Sequence, residues 1–174
     1  MPLNSFDTAR MNARRPSEDD FSVFRDIHTD ADTMKMLSVD GSVLTEKESR
    51  EVLQRHLTHW TTNEFGVWLF ANQLNGESIG YCGFRNYKLG SRPETELFYG
   101  VRSKFFRLGY GTEMARAVVD AGFKNLDLPS VIAFTLADNT ASRALMMKLG
   151  MQYEGTIEHA GMPHLLYRLT RRRG

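Results

Sequence analysis

From Glu94 to Ala137 the chain reads as strand, glycine turn, helix, strand. Two strands joined through a helix must lie parallel, so this stretch commits the fold to one β-α-β crossover. The first strand is "ETELFYGV", and the second, "SVIAFTLA", is almost continuously apolar, as a central strand would be. Between them Met114, Ala117, Val118 and Ala121 recur at i, i+3, i+4 and i+7, which predicts a helix with one core face. Gly109 and Gly111 fall where that helix begins. The first amides of a helix lack internal partners and carry partial positive charge, so bare backbone there suits an anion such as phosphate. Glycines at such a place also serve simply to shape a turn. The pair alone does not choose between the two.

The flanking segments predict the rest of the sheet. "TARMNAR", Thr8 to Arg14, reads as a first strand. "SEDD" at Ser17 and "TEKE" at Thr45 are capping-box starts for two helices, the second continuing through Leu53, Leu57 and Trp60. "GVWLFANQ" and "SIGYCGFRNY" flank Asn75-Gly76, a strong hairpin signal. "DNTASRALMMKLG" predicts a last helix that stops at Gly150, and "GTIEHAG" with "MPHLLYRLT" a closing hairpin. The expected fold is α+β: a single domain over residues 1–174, with a mixed, mostly antiparallel twisted sheet, a β-α-β core and flanking helices.

A chain of 174 residues with 41% hydrophobic and 25% charged residues can bury a real core. The net charge of +1 argues against a surface built for nucleic acid, and the terminal "RRRG" reads as a solvated tail. One cysteine, Cys82, allows no internal disulfide and fits a reducing compartment. No apolar run reaches transmembrane length, and "MPLNSFDTAR" has no secretory pattern. A cytoplasmic protein with no membrane or nucleic-acid partner is expected, as a monomer or homodimer.

Two phosphate-binding patterns fail. In a dinucleotide fingerprint Met114 would occupy the third glycine position, and the Gly-Lys-Ser/Thr of a P-loop is absent. A third pattern fits. "FRLGYG", Phe106 to Gly111, resembles the R/Q-x-x-G-x-G/A turn of the GNAT superfamily of acyl-CoA-dependent N-acyltransferases. "NTASRALMMKLGM", Asn139 to Met151, resembles the N-x-x-S and K-x-G-F helix of its Rim-type branch, whose founding members acetylate ribosomal-protein N-termini. Thr8, Arg10 and Arg14 match the branch's opening T-x-R-L-x-L-R. The resemblance covers about residues 8–170.

It implies that the amides of Leu108, Gly109, Tyr110, Gly111 and Thr112 hold the pyrophosphate of acetyl-CoA, a cosubstrate. Asn139 would contact the pantetheine arm, with Ser142 beside it; Asn139 is also a natural helix N-cap. Phe106, Arg107 and Met151 depart mildly from the pattern. Met146 departs more, standing where most members carry a tyrosine acid, and methionine cannot donate a proton.

The implied reaction is attack of a primary amine on a thioester. A lysine amine has a pKa of about 10.4 and an α-amine about 7.7–8.0, so a proton must leave first. Glu96 matches a strand glutamate of the branch and is the candidate base, with Glu94 two residues away in reserve; exposed strand carboxylates are also common. A thiol with a pKa near 8.5 leaves without much help, and Ser142 or a water supplies its proton. A strand amide is expected to meet the oxyanion. Tyr99 either lines the acceptor site or packs in the core. Cys82 reads as buried filler, His56 and His59 as surface or packing residues without further metal ligands, and His159 and His164 as structural. No metal is expected. The acceptor is a small-molecule amine or a protein N-terminus. A CoA-binding protein without turnover, kept open by Met146, is the rival reading.

Overall fold

The computed structural model describes residues 2–171, so the last three residues of the "RRRG" tail lie outside it. Eight strands form one sheet in the order β1-β2-β3-β4-β5-β6-β8-β7. The strands are β1 (Ser5–Asp7), β2 (Met11–Arg14), β3 (Val67–Asn72), β4 (Ser78–Leu89), β5 (Arg92–Val101), β6 (Ser130–Thr135), β7 (Gln152–His159) and β8 (Met162–Thr170). The helices are α1 (Phe21–Thr29), α2 (Ala31–Leu37), α3 (Glu46–Asn63), α4 (Tyr110–Asn125) and α5 (Thr140–Lys148). Every strand pair is antiparallel except β5 with β6, the pair that α4 connects. The single-domain α+β architecture with one crossover follows from that connection.

Both capping boxes form. Glu48 N donates to Thr45 Oγ1 at 3.2 Å while Thr45 N donates to Glu48 Oε2 at 2.7 Å, starting α3. Ser17 N donates to Asp20 Oδ2 at 2.7 Å, and Arg14 closes on the same carboxylate, ahead of α1. Two segments differ from the expectation. The first strand is a hairpin, β1 and β2, because Thr8 N bonds back to the Met11 carbonyl at 2.8 Å. An additional helix, α2, follows α1 at once. Its seven residues show too little periodicity to stand out, and Asp30 secures it by accepting from the amides of Asp32 and Thr33.

The sheet separates two cores. On one face α4 and α5 bury Met114, Val118 and Met146 against Phe84, Leu97 and Val131. On the other, α1 and α3 bury Phe24, Ile27 and Leu53 against Val67, Leu69 and Tyr81. Trp60 on α3 is 1% exposed, donates its indole N–H to the Val67 carbonyl at 2.7 Å and meets Trp68 edge-on at 5.1 Å.

Candidate active site

Strands β5 and β6 pair only at Glu96 and Ile132. Beyond that bridge the two strands are not paired, which leaves a gap between them, and the candidate residues lie on the elements around it. Alternation along β5 sends Leu97, Tyr99 and Val101 to the α4 side and Glu94, Glu96 and Phe98 to the α1–α3 side.

On the α4 side the glycine turn builds a cradle of bare backbone. Gly109 is the N-cap of α4 with φ 81°, a left-handed conformation that favours glycine, and it offers no side chain to the first amides of the helix. Glu113 in that first turn is occupied elsewhere: it accepts from Thr8 Oγ1 at 2.6 Å, Arg10 N at 2.9 Å and Arg10 Nε at 2.7 Å. Arg10 also donates to the Leu108 carbonyl at 2.9 Å and lies over the Tyr110 ring at 4.0 Å. The β1–β2 connection thus braces the turn. The matching residues Thr8 and Arg10 were visible in the sequence, but their partner Glu113 was not. A side chain added at Gly111 would meet Leu145 Cδ1 at 3.3 Å and Val101 Cγ2 at 3.4 Å. Its bareness therefore keeps α4 close to the gap, rather than clearing space directly over the turn.

Across the gap, Asn139 Oδ1 accepts from Ser142 N at 3.0 Å and caps α5. Its Nδ2 donates to the Met36 carbonyl at 3.1 Å, tying α5 to α2. Ser142 Oγ and Tyr99 Oη lie 2.6 Å apart, and burial pushes the Tyr99 phenol above its ordinary range. Arg143 donates Nη1 to the Ala137 carbonyl at 3.0 Å, while its buried Nε has no partner among the described residues. Met146 is 1% exposed and fills the core.

The two carboxylates are both held by arginines. Glu96, 3% exposed, accepts from Arg85 Nε at 2.6 Å and Nη2 at 2.9 Å. Glu94 accepts from Arg168 Nη1 and Nη2, each at 2.8 Å, and Arg168 also reaches Glu154. The Arg168 hydrogen bonds pull the Glu94 carboxyl below its ordinary value. Glu96 and the Tyr99–Ser142 hydroxyls thus approach the gap from opposite faces of β5.

The α1–α3 side carries what the sequence reading missed. A cavity of about 350 Å³ is lined by His28, His56, His59, Arg55, Arg85 and Phe98, among others. Val52, Arg55, His56 and His59 also line it, at i, i+3, i+4 and i+7 along α3. That spacing was a signal in the sequence, obscured by the stronger Leu53–Leu57–Trp60 stripe. His28 Nδ1 pairs with Ser49 Oγ at 2.8 Å and its Nε2 with Tyr81 Oη at 3.3 Å. His56, expected on the surface or in packing, is 8% exposed. Tyr87, Phe134, His159 and His164 cluster on the same sheet face, with Phe134 and His159 ring centres 4.7 Å apart. Cys82 is fully buried, as expected, and burial pushes its thiol up. No group of three metal-ligating side chains occurs among the described residues. Nor is any helix among them long and apolar enough to cross a membrane.

Two predictions arise here. Gly111→Val fills the contact with Val101 and Leu145 and is expected to weaken CoA binding at least tenfold, about 1.4 kcal/mol. Calorimetry on the folded variant checks it, and unchanged affinity would remove the glycine turn from the site. The second concerns acid. Burial and Arg55 push the His28 imidazole down to about 4, and burial with Arg85 pushes His56 down to about 3. Unfolded histidine titrates near pH 6.5, so below that pH the unfolded chain takes up protons that the folded one refuses. Stability is expected to be level from pH 8 to about 6.5 and then to fall towards pH 4, by up to about 1.4 kcal/mol per pH unit for each histidine. Melting temperature against pH reads this directly, and His56→Leu should flatten the decline.

A family model described as an acetyltransferase (GNAT) domain matches residues 10–152. The FsC-acetyl coenzyme A-N(2)-transacetylase of Aspergillus fumigatus is 33% identical over 133 residues, which cover 73% of this chain and 56% of that protein. The crystal structure of an acetyltransferase from Agrobacterium tumefaciens superposes with a TM-score of 0.82 at 23% identity, covering 96% of this chain and 94% of its own. RimL, a ribosomal L7/L12 alpha-N-protein acetyltransferase in complex with coenzyme A, superposes with a TM-score of 0.77 at 16% identity, covering 94% and 95%.

Proposed function

We propose, from the premise that this chain belongs to the GNAT family of acetyltransferases, that it transfers an acetyl group from acetyl-CoA to a primary amine by direct attack. It is an acetyl-CoA-dependent acyltransferase by family; the amine acceptor and the roles below are our reading. The observation that carries them is the gap past the Glu96–Ile132 bridge, with a bare helix start on one face and a cavity on the other.

The residues present fit the cosubstrate. The free amides at Tyr110, Gly111 and Thr112 suit a pyrophosphate, helped by the partial charge of the helix start. Leu108 and Gly109 form the approach, and the buried, unpartnered Nε of Arg143 and the Asn139 amide stand at the far side of the gap. When bound there, acetyl-CoA supplies an activated acyl group and a thiolate leaving group.

The chain's own groups do the rest. The acceptor amine enters from the cavity side. Glu96, behind Arg85 rather than in the cavity wall, takes its proton through a water, at a lone pair that Arg85 leaves free, since a carboxylate offers about four such sites and Arg85 uses two. Glu94, with both oxygens on Arg168, stands behind it as the reserve. As the sulfur departs, Ser142 passes its hydroxyl proton to it and takes the Tyr99 phenol proton across their 2.6 Å contact, and the phenolate, disfavoured by burial, recovers a proton from water that enters as the products leave. These two hydroxyls answer for the tyrosine that Met146 replaces. An amide of β5 beyond the bridge meets the oxyanion.

Release of free thiol from acetyl-CoA with a panel of primary amines tests the reading. Amine-dependent thiol release is expected; a protein that binds CoA yet releases thiol with no amine would overturn it in favour of a binding role.

A further inference from the structure

We propose that the cavity under α1–α3 takes an amine that also bears a carboxylate and an apolar body, the dimensions of a hydrophobic amino acid, with the carboxylate held by Arg55 and the free edge of Arg85. This names the acceptor class of the acetyl-transfer site proposed above and rests on that reading.

The argument begins with Arg85. Two of its three guanidinium nitrogens are committed to Glu96, and its plane lies over the Phe98 ring at 3.9 Å. It is therefore fixed before any ligand arrives. The third nitrogen, Nη1, has no partner among the described residues, and the side chain, 35% exposed, lines the cavity. A guanidinium held in this way presents a pre-organised donor for an anion. Arg55 lines the same cavity from α3 and has no ion pair or hydrogen bond among the described residues. No carboxylate lines the cavity. Glu96, on the strand beside Arg85, is already matched by it.

The histidines add no opposing charge. His28 and His56 stay neutral because burial and the two arginines hold their imidazoles down. His56 is buried, lines the cavity and has no hydrogen-bond partner among the described residues. A neutral imidazole offers one N–H and one lone pair, which suit a carboxylate and an amine respectively. Met34, Leu37, Val52 and Phe98 supply apolar wall for the rest of the molecule. The volume of about 350 Å³ falls at the small end of ligand sites. A polycation would bring further positive charge to Arg55, which has no carboxylate partner among the described residues, and to the free edge of Arg85, whose charge Glu96 already balances. An anionic amine is drawn in by them, and their field favours the neutral amine that the reaction needs.

The test compares leucine and phenylalanine with their amides and with the corresponding decarboxylated amines, alongside spermidine. The acids are expected to show kcat/KM at least tenfold above the amides. Arg55→Ala, an exposed position that should leave folding intact, is expected to reduce that acid-to-amide ratio about tenfold, with Arg55→Lys keeping part of it. Equal use of acid and amide, a preference for spermidine, or an acid preference that survives Arg55→Ala would each overturn the proposal. Calorimetric binding of the same acids and amides separates this from the reaction itself. If no amine releases thiol, acetyl transfer fails, while tighter binding of acid than amide, lost in Arg55→Ala, still supports the pocket assignment, and equal binding rejects it.

Discussion

Glu96→Gln is expected to lower turnover about 10²–10⁴-fold, the range that a general base contributes. The substitution keeps shape and removes basicity. CoA affinity should hold, because Glu96 faces the α1–α3 side of β5 and the glycine turn lies on the other. The acidic limb of the pH–rate profile should flatten or move upward. Glutamine also keeps only one oxygen for Arg85, where the carboxylate accepts from Nε and Nη2. If Glu96 served only to hold Arg85, the variant would show a raised KM for the acceptor and an unchanged kcat. A loss in kcat with an altered acidic limb separates proton removal from positioning. Wild-type turnover with an unaltered limb would exclude Glu96 and direct the same measurement to Glu94. If neither carboxylate mattered, the amine would lose its proton to water before binding.

Trp60→Ala is expected to cost about 3–5 kcal/mol, the usual effect of deleting a fully buried large aromatic. Trp60 is 1% exposed, packs on Trp68 and bonds the Val67 carbonyl. Small domains have only about 5–15 kcal/mol in all, so the denaturation midpoint should fall steeply. Trp60→Phe keeps most of the packing but leaves the Val67 carbonyl without its indole donor, costing about 1–3 kcal/mol. Because Trp60 seats α3 and α3 carries Arg55, His56 and His59, this milder variant should raise acceptor KM more than it weakens CoA. Equal loss on both sides would mean that α3 does not shape the acceptor pocket.

The half of the candidate site proposed for the cosubstrate was readable because its signals are local. A glycine pair at a helix start, an Asn-x-x-Ser at another, and a strand on each side are all short-range patterns, and each sits where it was expected. The helix α2 was missed for the same reason in reverse. Its seven residues hold together through Asp30 and through Ser103, which donates to the Asp30 carboxylate from 73 positions away.

Hydrophobic period and turn chemistry determined the crossover, the two capping boxes and the hairpin at Asn75-Gly76, because those depend on neighbours within a few residues. Composition set the limits of a soluble core. Only the tertiary structure decided which ionisable groups meet. Arg85 finds Glu96 because β4 and β5 pair in that register, and Glu94 finds Arg168 only because β8 returns beside β6. Met146 proved to be core, and the hydroxyls of Tyr99 and Ser142 met across 43 positions. Helix α3 carries His56 and Arg55 to the cavity that Arg85 enters from β4, a contact that no spacing along the chain encodes. Charge and proton transfer depend on distances of a few ångströms between distant segments, and those distances arise only when the sheet closes and both cores pack against it.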